Sequence, residues 1–264
     1  MASTARVVCL ISSLVLSAHA WENGKKGRPP FGAHDYIAYK AFTLAGESGL
    51  PWLRDNLNWY FLGTEAPDKG TTATTEPGYR DLGQCHCVLF DRSGTVTRDH
   101  AELRVRQEFD RARRALAAGK PRMAAFYAGA MAHYLGDLSA FYHMMGKQSH
   151  WGEERKGVHG KYEAALERTI AATTRTSVLL DGYIQPLAIP AQTPETIARA
   201  VATFTENGTS HRDPHWMDAQ YQSLIRQKLN STPERWDQDF RDQTGQNLNY
   251  SVNAIAKLLS MISR

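Results

Sequence analysis

The segment His133-Tyr134-Leu135-Gly136-Asp137-Leu138-Ser139-Ala140-Phe141-Tyr142-His143 sits inside a stretch, Arg122 to Met145, that is apolar almost all the way round. A helical pattern without a polar face predicts a helix buried at the centre of a bundle. That helix nevertheless carries two imidazoles and a carboxylate. At about 100° per residue, His133 and Asp137 share a face one turn apart, while His143 falls roughly 80° round and about 9 Å beyond Asp137. A carboxylate left unpaired in apolar surroundings is costly, so it protonates or finds a cation, and imidazoles offer lone pairs to a metal. For this segment alone, a hydrogen-bonded His-Asp pair inside a core is the plainer alternative.

Helical spacing extends outward on both sides. Ile37, Ala38, Phe42 and Leu44 predict a helix over about Ala33 to Ala45, and a shorter one is expected over Trp52 to Leu62. Gly63 to Asp99, with Pro67, Gly70, Pro77-Gly78 and Ser93-Gly94, reads as one long loop, and a loop of that length in a compact domain is usually functional. A long amphipathic helix should follow from Asp99 to Ala118, ended by Gly119-Lys120-Pro121. Further helices are expected over Val158 to Thr173, Pro194 to Phe204, Pro214 to Leu229 and Arg235 to Ser263. Almost nothing alternates as a strand would, so the predicted fold class is all-α.

The chain has 264 residues, 42% of them hydrophobic, enough for one sizeable core. No window reaches the roughly 18 apolar residues of a membrane-spanning helix. The first residues read as a leader: Arg6 is a positive start, Val7 to Leu16 an apolar stretch, and Ala18-His19-Ala20 a cleavage site. Residues 1–20 are therefore expected to be a signal peptide and residues 21–264 one domain, exported to the periplasm or medium, with Trp21 as its first residue. Losing Arg6 lowers the formal charge from +4 to +3, a mild basicity compatible with an anionic substrate. Cys85 and Cys87, one residue apart, are expected to pack rather than bridge, and in an extended segment to point away from His86.

Other ligand types recur at isolated points. His159 and Glu163 are one helical turn apart, and with His143 they would form a three-ligand zinc site with a fourth position open to water. Asp68 follows Pro67 in Gly63-Thr64-Glu65-Ala66-Pro67-Asp68, His86 lies between the two cysteines, and His34 opens the first helix. Glu22, Asp35 and Glu65 stand close to these in sequence.

The ordered set Trp21, His34, Asp68, His86, His133-x3-Asp137-x5-His143 and His159-x3-Glu163 resembles the zinc-dependent phospholipase C family, which includes the S1/P1-type nucleases. The most specific phrase is His-Tyr-Leu-Gly-Asp, and Pro233-Glu234-Arg235-Trp236 and Thr244-Gly245 carry the likeness into the C-terminal helices. The resemblance implies an all-helical fold around three Zn2+ ions. One would be held by Asp68, His86, His133 and Asp137, and a second by His143, His159, Glu163 and water. The third would be held by His34, a bridging Asp137, and the amino group and carbonyl of Trp21, a donor that exists only after the leader is removed. Such ions neutralise phosphodiester oxygens and acidify water, with Asp68 implied to orient or deprotonate it.

Within the family, the 12 residues between Trp21 and His34 and the final Glu163 resemble the phospholipase branch, implying a monomeric enzyme acting on phospholipid headgroups at a membrane surface. Lys69 and Gly83 stand where aromatics of a choline pocket would be, so cation-π recognition is missing and Lys69 is expected to meet an anionic headgroup or second phosphate. The alternatives are a single-strand nuclease or 3'-nucleotidase, for which Trp52, Trp59, Tyr60 and Trp151 offer stacking surfaces, and a zinc-binding protein without turnover.

Overall fold

A computed structural model of the chain describes residues 32–69, 85–155, 158–171, 180–230 and 233–263. Among them are nine α-helices: α1 (Ala33–Ala45), α2 (Pro51–Arg54), α3 (Leu57–Lys69), α4 (His100–Ala117), α5 (Pro121–Asp137), α6 (Val158–Ala171), α7 (Pro194–Asn207), α8 (Pro214–Arg226) and α9 (Gln238–Ile262). The strands β1 (Leu89–Phe90) and β2 (Val96–Arg98) form a small antiparallel hairpin. The fold is all-α. No helix among the described residues is long and apolar enough to cross a membrane.

Local chemistry sets several helix starts. Thr193 caps α7 by accepting the Thr196 N–H (3.3 Å) and Asp213 caps α8 by accepting that of Trp216 (2.9 Å), each followed by a proline whose missing N–H costs nothing there. Gly119, at φ +68°, takes the left-handed turn after α4.

α5 is the axis of the bundle. Every residue from Ala124 to Asp137 is buried, and α1, α3, α4 and α9 pack around it. Phe126, Met131 and Leu135 of α5 join Phe42, Tyr60, Phe240 and Val252 in one core. α3 crosses α5 at two glycines: a Cβ on Gly63 would stand 2.0 Å from the Phe126 carbonyl oxygen, and one on Gly129 would stand 1.9 Å from that of Tyr60.

Four expectations are corrected. The helix expected through Met145 ends at Asp137, and the chain reverses through extended Ala140 into a 3-10 turn, Phe141–Met144. The helix expected over 52–62 is two, α2 and α3. The segment Gly63 to Asp68, expected as loop, continues α3 with Pro67 inside it, where the missing N–H leaves the Gly63 carbonyl without its helical donor. The hairpin adds two short strands.

Candidate metal centre

α1 starts at Gly32, whose N–H is accepted by Asp35 (3.3 Å). Buried Asp35 also accepts from the Thr64 hydroxyl, locking α1 to α3 beside His34. His34 lies along α5: its ring stacks on His133 (centroids 4.1 Å), and a Cβ on Gly136 would approach its Nδ1 to 2.9 Å. Gly136 is thus what lets the ring come so near the helix. His133 Nδ1 lies 2.7 Å from the Thr64 carbonyl, which can only accept, so Nδ1 carries the proton and Nε2 faces the cluster.

The hub is Asp137. Its Oδ1 lies 3.3 Å from His34 Nε2 and 3.2 Å from His143 Nε2, and its Oδ2 lies 2.9 Å from His86 Nδ1 and 3.1 Å from His133 Nε2. His143 reaches this position because the chain reverses after Asp137; on a continuous helix it would point elsewhere. Asp68, with its side chain 56% exposed, stands at the rim, 3.7 Å from His86 Nδ1 and 3.6 Å from His133 Nε2.

Four imidazoles around one buried carboxylate make an unusual donor set. Protonating all four would bury several cations against a single anion, and a neutral His133, with its proton held on Nδ1 by the Thr64 carbonyl, would turn the Nε2 lone pair on Asp137 Oδ2. His86 Nδ1 and His133 Nε2 also face each other at 3.1 Å. Buried His143 Nε2, though close to Asp137, has no hydrogen-bond geometry to any partner among the described residues. Cations set between these atoms satisfy every lone pair at once. The ligand atoms of His34, His133 and Asp137, of Asp68, His86 and His133, and of His143, His159 and Glu163 lie within 4.8 Å of one another in each group. Tetrahedral zinc with bonds of about 2.1 Å needs donor separations of roughly 3.4 Å, so the residues fit the metal.

Electrostatics without metal follow the same grouping. Burial opposes ionisation of Asp137, but His133, His143 and His34 override it and hold the carboxyl well below its usual range. Burial also favours neutral His133, yet the Asp137 carboxylate raises it to about 9. His34 is lowered by burial and by His133 beside it.

α6 supplies the third group. His159 Nε2 lies 3.0 Å from Glu163 Oε1, to which the Tyr142 hydroxyl also donates (3.2 Å). On the ring's other side Nδ1 lies 3.5 Å from Glu154. Burial is outweighed by these two carboxylates, and His159 rises to about 10. Glu154, Tyr142 and Thr64 escape sequence reading: Glu154 is one of two adjacent acids in a polar run, and Thr64 acts through its backbone. Asp35, expected beside a ligand, accepts from the Thr64 hydroxyl.

Cys85 and Cys87, expected to pack unbridged, form a disulfide with Cα atoms 5.1 Å apart, inside the usual range for bridged cysteines. In extended chain residues two apart share a side, so the pair meet each other and His86 is left to the opposite side. The aromatics expected for base stacking are engaged in the fold: Trp52 Nε1 donates to Ser263 (2.8 Å), Trp151 Nε1 to Glu206 (2.8 Å), Tyr60 is buried and Trp59 packs on the core. Trp21, Gly83, the leader and the Lys69 side chain lie outside the described residues. A cavity of about 180 Å³ opens onto the cluster, lined both by Asp68, Asp137 and Glu163 and by Ile37, Leu166 and Leu248.

The family model for zinc dependent phospholipase C matches residues 15–246. Among solved structures, the alpha-toxin of Clostridium perfringens from avian strain SWCP is 19% identical over 88% of this chain and 63% of its own, with a TM-score of 0.51. The alpha-toxin of Clostridium absonum is likewise 19% identical, over 89% of this chain and 65% of its own, with a TM-score of 0.48. The chain thus spans less than two thirds of either toxin's length, and the likeness to the first is one of fold. No curated protein matches the chain. A match covering most of the sequence, on a fold that gathers four imidazoles about one buried carboxylate, places the chain in the zinc-dependent phospholipase C family.

Proposed function

We propose that the chain is an exported, monomeric phospholipase C that hydrolyses glycerophospholipids, water displacing the diacylglycerol oxygen from phosphorus. The observation that carries this reading is Asp137 with four imidazole nitrogens within 3.3 Å, an arrangement that makes chemical sense around cations. Asp68, His86, His133 and Asp137 would hold one zinc, and His143, His159 and Glu163 a second. His34 and Asp137 would hold a third, completed by the amino group and carbonyl of Trp21 once the leader is cut after Ala20. Bound zinc supplies charge neutralisation at the phosphodiester oxygens and acidifies water near neutral pH.

The chain's own residues do the rest. Asp68 would orient the attacking water and accept its proton, a role supported by its exposure at the cavity rim beside His86 and His133. Ile37, Leu166 and Leu248 give the cavity an apolar lining suited to the glyceride part of the substrate. Lys69, directly after Asp68, is assigned to an anionic headgroup.

The test uses purified protein beginning at Trp21. Zinc is measured, and hydrolysis of phosphatidylcholine and phosphatidylglycerol vesicles and of single-stranded DNA is followed with and without chelator. About three zinc ions per chain and zinc-dependent release of phosphorylated headgroup are expected. Cleavage of DNA but not lipid would transfer the site to the nuclease reading, and zinc binding with neither activity would leave a non-catalytic zinc protein.

A further inference from the structure

The reversal after α5 brings His143 back onto Asp137, and it strands two backbone carbonyls. Within the turn, Leu138 N–H bonds to the Tyr134 carbonyl (3.2 Å), Ser139 N–H to that of Gly136 (3.0 Å) and Ala140 N–H to that of Asp137 (2.9 Å). The Leu135 and Leu138 carbonyls take no backbone N–H among the described residues, and both residues are fully buried. A helix end left this way needs partners from elsewhere.

Each carbonyl receives a hydroxyl from a different distant helix. Ser251 Oγ of α9 donates to the Leu135 carbonyl (2.8 Å), and Thr205 Oγ1 of α7 donates to that of Leu138 (2.7 Å). The two hydroxyls are themselves buried, with residue exposures of 0% and 2%. Their acceptors bracket Asp137, two residues before it and one after. The peptide planes on either side of the hub are thereby tied to α9 and α7.

We propose that Ser251 and Thr205 are positioning residues for the metal centre: by tying these two carbonyls they fix where Asp137 stands relative to His143. Neither residue belongs to the clusters of ligand atoms. They act through backbone orientation, as outer partners orient ligands in metal sites generally. The inference rests on the metal reading above.

The test uses the whole mature protein. Thr205→Val and Ser251→Ala remove the hydroxyls, and Thr205→Ser keeps one. Zinc retention is titrated against a chromophoric chelator, and the visible spectrum of the cobalt-substituted protein reports ligand geometry. Thr205→Val and Ser251→Ala should hold part of their zinc about tenfold more weakly and change the cobalt spectrum, while Thr205→Ser matches the wild type. Lower melting temperatures with unchanged chelator curves and spectra would make the hydroxyls merely structural and overturn the proposal. If the hydroxyl-free variants do not fold, Thr205→Ser still decides: a tenfold loss there would trace the effect to packing. Wild-type protein that binds no zinc or cobalt removes the metal reading itself, and is seen before any variant is compared.

Discussion

Gly63 of α3 and Gly129 of α5 stand back to back, with a Cβ on Gly129 only 2.9 Å from the Gly63 Cα and 1.9 Å from the Tyr60 carbonyl oxygen. Thr64 follows Gly63 directly and His133 lies one turn beyond Gly129, so this crossing sets the bond from His133 Nδ1 to the Thr64 carbonyl. Gly129→Ala must part the helices, since the obstructing atoms are backbone. A loss of about 3 kcal/mol or more is expected, read as a fall of several degrees in melting temperature, together with weaker zinc retention. Gly160 on α6 is the control: nothing lies within 4 Å of an added Cβ there. Gly160→Ala should be neutral or gain up to about 1 kcal/mol from helix propensity. Equal melting temperatures for the two variants would refute the close crossing.

Asp137→Ala removes the one anion that four imidazoles share. Their nitrogens then face one another without a counter-charge, and two of the proposed metal positions lose a donor. Zinc content should drop and lipid hydrolysis should fall by more than about 100-fold, the upper end of what outer-partner losses cost. Full zinc occupancy with full activity would break the arrangement.

The helical periods of α1, α6 and α8 and the proline starts of α7 and α8 are visible in the sequence because they are local. The end of α5 is not, because Arg122 to Met145 stays apolar across the break. What holds the reversal there is two hydroxyls more than 60 residues away, at Thr205 and Ser251. The sequence therefore shows His143 as a ligand type on the same broad flank as Asp137, but helical spacing sets it about 9 Å beyond rather than against that carboxylate. Pro67 misled in the opposite sense: a proline near a helix end reads as loop, yet α3 runs on to deliver Asp68. The Cys85–Cys87 bridge depends on how that segment curves, which spacing alone does not reveal.

Stability of the metal-free protein should depend on pH through the same groups. His159 is raised to about 10, so its contribution is complete below its ordinary value near 6.5 and is lost as pH rises through about 10. Glu163 is lowered, so its contribution is complete above its ordinary value near 4.5 and is lost as pH falls through the depressed one. His133, raised to about 9, and Asp137, held well below its usual range, have the same two signs. His34, lowered by burial, has the opposite sign and withdraws stability as pH falls below its ordinary value near 6.5, so chelator-treated protein should melt highest near pH 6.5 and lower on both sides. Glu163→Gln should flatten both limbs. A melting temperature of the metal-free protein that climbs steadily from pH 6.5 to 10 would contradict the assignment.

Glu154 holds a proposed ligand, His159, from behind. Its Oε1 lies 3.5 Å from His159 Nδ1, while Nε2 of the same ring lies 3.0 Å from Glu163. A carboxylate on one imidazole nitrogen fixes the tautomer and makes the other nitrogen a better donor. With an imidazole 35% exposed, the ring has room to turn once that partner is gone. Glu154→Ala should therefore weaken zinc at the His143, His159 and Glu163 group about tenfold and lower lipid hydrolysis at limiting zinc, with recovery when zinc is added in excess. Glu154→Gln, which can still accept from Nδ1, should fall between Ala and wild type. If Ala and Gln variants titrate with zinc as the wild type does, Glu154 only neutralises surface charge, and the orientation of His159 must come from Tyr142, whose ring lies 3.7 Å from it.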